Sequence, residues 1–127
     1  MTRLTLVIAA ISGFLAVSLG AFGAHGLESV LTPERLATFQ TGVDYHFIHT
    51  LALLGVGILM LRFPQNKPLR LSSYSFIVGT VVFSGSLYVL SLSGISWLGA
   101  ITPIGGLAFL FGWANIAWFA WGLTQDQ

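Results

Sequence analysis

The chain contains no cysteine. Disulfides, thiolate metal sites and cysteine nucleophiles are excluded, and the redox compartment stays open. Charge is nearly as scarce. Only 7% of residues are Asp, Glu, Lys or Arg, against about 25% in soluble domains, so the chain lacks the side chains to wet a globular surface. The net charge is +1 and no basic run is long enough for a polyanion, which argues against nucleic acid as a partner. A serine elbow, a phosphate loop and paired acids are also missing. Ser84-Gly85-Ser86 sits in an apolar run, where serine and glycine serve packing. The chain is therefore read as a non-enzyme, with no cofactor and no metal assigned.

What is present is apolar surface. Hydrophobic residues make up 55% of the chain, and the mean hydropathy is +0.87. The 127 residues suit one membrane domain, 1–127. About 20 residues cross a bilayer core as a helix, and four segments qualify: 4–24, 42–61, 71–92 and 103–123. The first holds 21 uncharged residues, longer than a signal core, and reads as an uncleaved helix. Strand alternation is absent, and backbone groups in lipid must be satisfied internally, so the fold class is all-α: a bundle of four transmembrane helices. Between the first two spans, Thr32-Pro33-Glu34 reads as a helix start, and Leu36, Phe39 and Val43 recur at helical spacing. This predicts a short amphipathic outer helix at 33–41, with or without a break at Gly42. Thr102 and Pro103 read as cap and first residue of the fourth span.

Charge sets an orientation. Arg62, Lys67 and Arg70 crowd the loop "RFPQNKPLR", and Arg3 lies before the first span. Positive residues stay cytoplasmic, which places both termini inside, with Glu28, Glu34, Arg35 and Asp44 outside.

Helices in lipid associate through small residues. Ser12, Ala16, Gly20 and Ala24 recur every four residues on the first span, and Gly105 and Gly106 open the fourth. These are the expected packing positions. On the second span, Leu36, Val43, Phe47, Leu51, Leu54 and Ile58 fall on a side suited to lipid. Thr41, Tyr45, His49, Ala52 and Val56 fall on the other. Tyr45 and His49 are i, i+4 neighbours, while Asp44 is about 140° from His49 around the helix and cannot pair with it. Thr80, Ser84, Tyr88 and Ser91 form a hydroxyl stripe on the third span. Trp113, Trp118 and Trp121 read as anchors toward the inner end of the fourth.

The stretches "GAFGAHGL", "TGVDYHFIHTLALL", "FSGSLY", "TPIGG" and "GW", in this order, resemble the YgdD/YwdK family of small bacterial inner-membrane proteins. The resemblance covers essentially the whole chain. It implies a four-helix protein of the bacterial inner membrane with no assigned reaction. Its characteristic polar positions fall on His25, Asp44, Tyr45 and His49, and His46 lies outside that pattern.

Together these readings give a candidate polar or ligand cluster of His25, Asp44, Tyr45, His49 and Tyr88. The expected function is packing, assembly or small-ligand binding by a multi-pass membrane protein. Its partners are the lipid bilayer and either further copies of itself or a larger membrane complex. One alternative is a proton- or ion-coupled transport element, since ionisable groups in spans are costly. A second is metal or haem ligation by His25 with His46 or His49.

Overall fold

A computed structural model describes residues 1–124, and every regular element in them is helical. Helix α1 spans Thr2–His25, α2 Pro33–Arg62 and α3 Lys67–Gly79. A π-helical turn at Thr80–Ser84 leads into α4, Gly85–Ser93. A 3-10 turn at Ser96–Ala100 precedes α5, Thr102–Trp121. Four stretches are long and apolar enough to cross a membrane: Thr2–His25, Pro33–Arg62, Lys67–Ser93 and Ser96–Trp121.

Local chemistry sets the boundaries. The α1 C-terminus closes with the Gly26 N–H donating to the Phe22 carbonyl at 2.7 Å. Thr32 caps α2 by accepting from the Arg35 N–H at 3.3 Å, with Pro33 in the first turn. Such a cap contributes about 1 kcal/mol. The helix expected at 33–41 is present, and it runs through Gly42 without a break into the second span. The 30 residues of α2 make a rod of about 45 Å, longer than the hydrocarbon core, so its first turns stand clear of it. Pro64 stops α2. Asn66 then caps α3, its Oδ1 accepting from the Leu69 N–H at 3.0 Å.

At the fourth span the expected cap is displaced. Ile101 occupies the cap position, and Thr102 is already helical. The Thr102 hydroxyl instead meets Ser86 Oγ at 2.6 Å, fastening α5 to α4. The free backbone groups ahead of it are taken up by the 3-10 turn.

α1 packs along α2, α5 along α3, and α2 lies against α3, the π turn and α4. The second and third spans therefore form the centre, with α1 and α5 as flanks. Close approach is made by glycines and serines. Phe76 of α3 lies on Gly112 of α5, and Phe109 of α5 lies on Gly79 of α3. Ser72 Oγ donates to the Gly112 carbonyl at 2.6 Å in the same seam. A side chain on Gly105 would overlap the Phe83 backbone.

The α1 stripe follows the helical period more closely than a fixed step of four. Ala16 is buried and Gly20 rests on Val43, but Ala24 is exposed and Gly23 carries the next contact, against Phe39. Each step of four overshoots the 3.6-residue turn by about 40°, so the contact line drops back to i+3. On α2, Phe47, Leu51, Leu54 and Ile58 are exposed as expected, whereas Val43 is buried with Leu27 and Phe39, and Leu36 is half-buried beside them. The chain leaving α1 folds back over that end of α2 and covers it.

Candidate functional site

The five candidate residues do not form one cluster. His25 is exposed at the end of α1 and has no hydrogen bond among the described residues. Asp44 is exposed and accepts from Gln40 Nε2 at 3.0 Å. Tyr45 and His49 lie together on the α5 side of α2, and Tyr88 lies on the side facing α1.

His49 is held on every side. Its ring stacks on Phe109, with centroids 3.5 Å apart and planes 8° apart. Its Nδ1 is 2.8 Å from the Tyr45 carbonyl, and its Nε2 accepts from the Trp113 indole N–H at 3.0 Å. A carbonyl can only accept and an indole can only donate. The ring is therefore neutral with its hydrogen on Nδ1, and a second proton on Nε2 would point at the indole hydrogen. Trp113 thus ties its indole N–H to His49 while part of its ring stays exposed, and Trp118 and Trp121 are exposed toward the end of α5.

His46, just under one helical turn earlier, is turned toward α1 rather than α5 and is buried. Its Nδ1 is 2.8 Å from the Tyr88 hydroxyl and its Nε2 is 3.0 Å from Ser12 Oγ. Ser12 Oγ is in turn 2.6 Å from Thr50 Oγ1. This makes a chain, Tyr88–His46–Ser12–Thr50, across three spans. Every partner of His46 is a hydroxyl, able to donate or accept, so either ring nitrogen can carry the hydrogen. The two histidines differ in this respect: His49 is fixed and His46 is adaptable.

The chain lies at the floor of a groove. Near the other end of α1, Thr5 Oγ1 and Ser73 Oγ meet at 2.8 Å and hold α1 against α3. Towards Tyr88 the two spans part, leaving about 390 Å³ between them, within the usual range for small-molecule sites. Its walls are aliphatic: Ile8, Ile11, Leu15 and Leu19 from α1, Ile77 and Val81 from the third span. Ser12, His46, Thr80 and Tyr88 supply the polar edge, and Gly85 opens one side. A second hollow of about 410 Å³ lies between α2 and α5, lined by Tyr45, His49, Leu107, Leu110 and Trp113. There the His49 nitrogens are already occupied.

The π turn builds the groove wall. The Gly85 N–H bonds back to the Thr80 carbonyl, five residues earlier, and such turns recur at functional sites. Within it, Ser84 Oγ donates to the Gly42 carbonyl at 2.7 Å. Beyond it the Tyr88 ring crosses Gly42, where a Cβ would stand 3.0 Å from the ring. That approach brings the phenol to His46. The remaining hydroxyl of the stripe, on Ser91, donates to the Tyr88 carbonyl at 3.0 Å.

Neither histidine pair suits a metal or haem. His25 is remote from the chain's bonds, both ring nitrogens of His46 and His49 have partners, and no group of three or more potential ligands gathers among the described residues. Asn115, buried with its amide donating to the Phe111 carbonyl at 2.8 Å, is a further polar group that the sequence reading did not single out.

Residues 19–106 match the family described as "Protein of unknown function (DUF423)". The chain belongs to this family. A relative named UPF0382 membrane protein, from Haemophilus influenzae, is 45% identical over 113 residues, covering 89% of this chain and 90% of that protein. The UPF0382 membrane protein YwdK of Bacillus subtilis is 44% identical over 114 residues, covering 90% and 93%. The UPF0382 inner membrane protein YgdD of Escherichia coli is 46% identical over 113 residues, covering 89% and 86%. No solved structure matches. The DUF423 chain is thus a small multi-pass inner-membrane protein, as the resemblance implied.

Proposed function

We propose that this DUF423 protein is a non-enzymatic membrane protein that binds a small lipid-soluble molecule in the groove between α1 and the third span. The Tyr88–His46–Ser12–Thr50 chain carries the reading. Polar groups within a span are costly and mark function by default. Most other hydroxyls in the spans are met by carbonyls or fasten helices together. This chain instead borders an aliphatic groove that opens toward lipid.

The basic residues Arg3, Arg62, Lys67 and Arg70 support an orientation with both termini in the cytoplasm and Tyr88 in the outer half of the membrane. The chain of bonds does not support transport across the bilayer. It ends at Thr50, beyond which Leu53, Val56 and Met60 fill the core. Assembly is a second reading, carried by α1: only 17% of its spanning window is buried, against 44% for α2. A native mass in mild detergent equal to one chain would remove it.

Gly85→Leu tests the binding reading. A Cβ at Gly85 would meet nothing within 4 Å, so the leucine fills the groove without straining the fold. Protein purified gently from its own membranes is extracted and the extract weighed by mass spectrometry. Wild type is expected to carry a near-stoichiometric lipid-soluble molecule that Gly85→Leu lacks. Identical extracts from the two, or none from wild type, would contradict the proposal.

A further inference from the structure

The hydrogens of the chain have a preferred direction. Tyr88, Ser12 and Thr50 each carry one hydroxyl hydrogen, and neutral His46 carries one on its ring. Four hydrogens serve three bonds, so one is left over, on Thr50, on Tyr88 or, where Ser12 accepts from both neighbours, on Ser12. If Tyr88 donates to His46, the surplus hydrogen belongs to Thr50. Thr38 and Thr41 donate to the carbonyl four residues back. Thr50 makes no such bond among the described residues and is only 5% exposed. If Thr50 donates to Ser12, Ser12 to His46 Nε2 and His46 Nδ1–H to Tyr88, the surplus hydrogen belongs to Tyr88. An unmet donor costs most where it is buried, which disfavours Thr50, and an acceptor at the Tyr88 end of the groove selects the second direction, the one that offers it the phenol hydrogen. That direction leaves a phenol O–H at the edge of the groove without an acceptor among the described residues.

Depth narrows what can supply that acceptor. His46 lies two residues, about 3 Å along the axis, deeper than Asp44, whose exposed carboxylate marks the headgroup level. From there the aliphatic wall of α1 runs from Leu19 to Ile8, about 16 Å into the bilayer. An acceptor at the headgroup boundary, continued by an unbranched apolar body, is the outline of an ester-linked acyl chain. We propose that the groove seats one acyl chain of a glycerolipid from the leaflet on the Asp44 side, with the ester carbonyl accepting the Tyr88 O–H. This rests on the binding reading above and names its ligand class.

The test compares diacyl with dialkyl phosphatidylethanolamine of matched chain length, the second lacking the ester carbonyl. Protein is equilibrated with an equal mixture, and native mass spectrometry reads which lipid stays bound. Wild type should retain the diester about fivefold over the diether, the worth of one hydrogen bond. Tyr88→Phe should bring the ratio to one. Thr50→Val should lower the ratio toward one, because without that hydroxyl the run can reverse and leave its spare hydrogen on half-buried Ser12. Gly85→Leu should retain neither lipid. Equal retention by wild type, or a preference that survives Tyr88→Phe, would overturn the ester assignment. If a non-ester molecule co-purifies and Gly85→Leu removes it, the ester assignment falls and the binding reading stands. If wild type retains nothing, both fall.

Discussion

His46 and His49 sit three residues apart on one helix, and their partners give them different chemistry. His49 is bracketed by a carbonyl and an indole, so its role is to tie α2 to α5. Trp113→Phe removes the donor and leaves Nε2 unmet beside Phe109. We expect about 1 kcal/mol lower stability by thermal unfolding in detergent, with a double variant that also carries His49→Phe recovering part of the loss. Full additivity of the two single changes would show that the bond carries no energy. The sequence exposed His49 as a polar group with helical neighbours and showed that Asp44 could not be its partner. It gave no sign of Trp113, which lies 64 positions away. His46 was harder still. It falls outside the positions implied by family resemblance, and its importance comes from Ser12 and Tyr88 on two other spans. Ser12 itself reads as a packing residue, since a small side chain on a contact face looks the same from sequence whether or not its hydroxyl has a task.

Among elements, glycine contacts and one arginine decide the geometry. Gly105 lies against the Phe83 backbone within the π turn, while a Cβ on Gly55 would meet nothing within 4 Å. Gly105→Ala should therefore cost about 1–3 kcal/mol through forced separation of α5 from the third span. Gly55→Ala should stabilise by about 0.5–1 kcal/mol through helix propensity. Unfolding of the two variants side by side checks this, and equal effects would refute the packing account. Arg35 is the exception to the charge pattern behind the proposed orientation. Its Nε donates to the Ser91 carbonyl at 2.7 Å, at the C-terminus of α4 beside Gly94, where φ is +73°. Positive charge is favourable at that end of a helix dipole. In Arg35→Ala, amides of the 3-10 turn should exchange about tenfold faster, with little change in the α2–α3 seam. Uniform exchange throughout would mean that Arg35 does not pin this corner. Helix existence was legible from apolar runs, and the α2 start from Thr32-Pro33-Glu34. The π turn was not, because Thr80–Ser84 has the composition of an ordinary span and its extra residue is set by what packs on both sides.

At the scale of the molecule, the membrane class follows from too few charges and four runs of sufficient length. The proposed orientation rests on where Arg62, Lys67 and Arg70 fall. The native chain has no cysteine, so single cysteines can be introduced without background. Ser29→Cys, in the turn before α2, should react with a membrane-impermeant thiol reagent in intact cells. Gln65→Cys, in the basic loop, should react only after lysis. The reverse pattern would invert the orientation. The groove could not be read from sequence. It exists because α1 is fastened to α3 at Thr5 and Ser73 and departs from it near Tyr88, a relation between helices that no local pattern encodes. The most direct measurement is an experimental structure in lipid, at a resolution that shows acyl chains. The account predicts elongated density along Ile8 to Leu19, ending within hydrogen-bond distance of the Tyr88 hydroxyl, with His46 still bridging Tyr88 and Ser12. A structure in which α1 closes onto the third span and the Tyr88 hydroxyl donates to a carbonyl of the protein would contradict it.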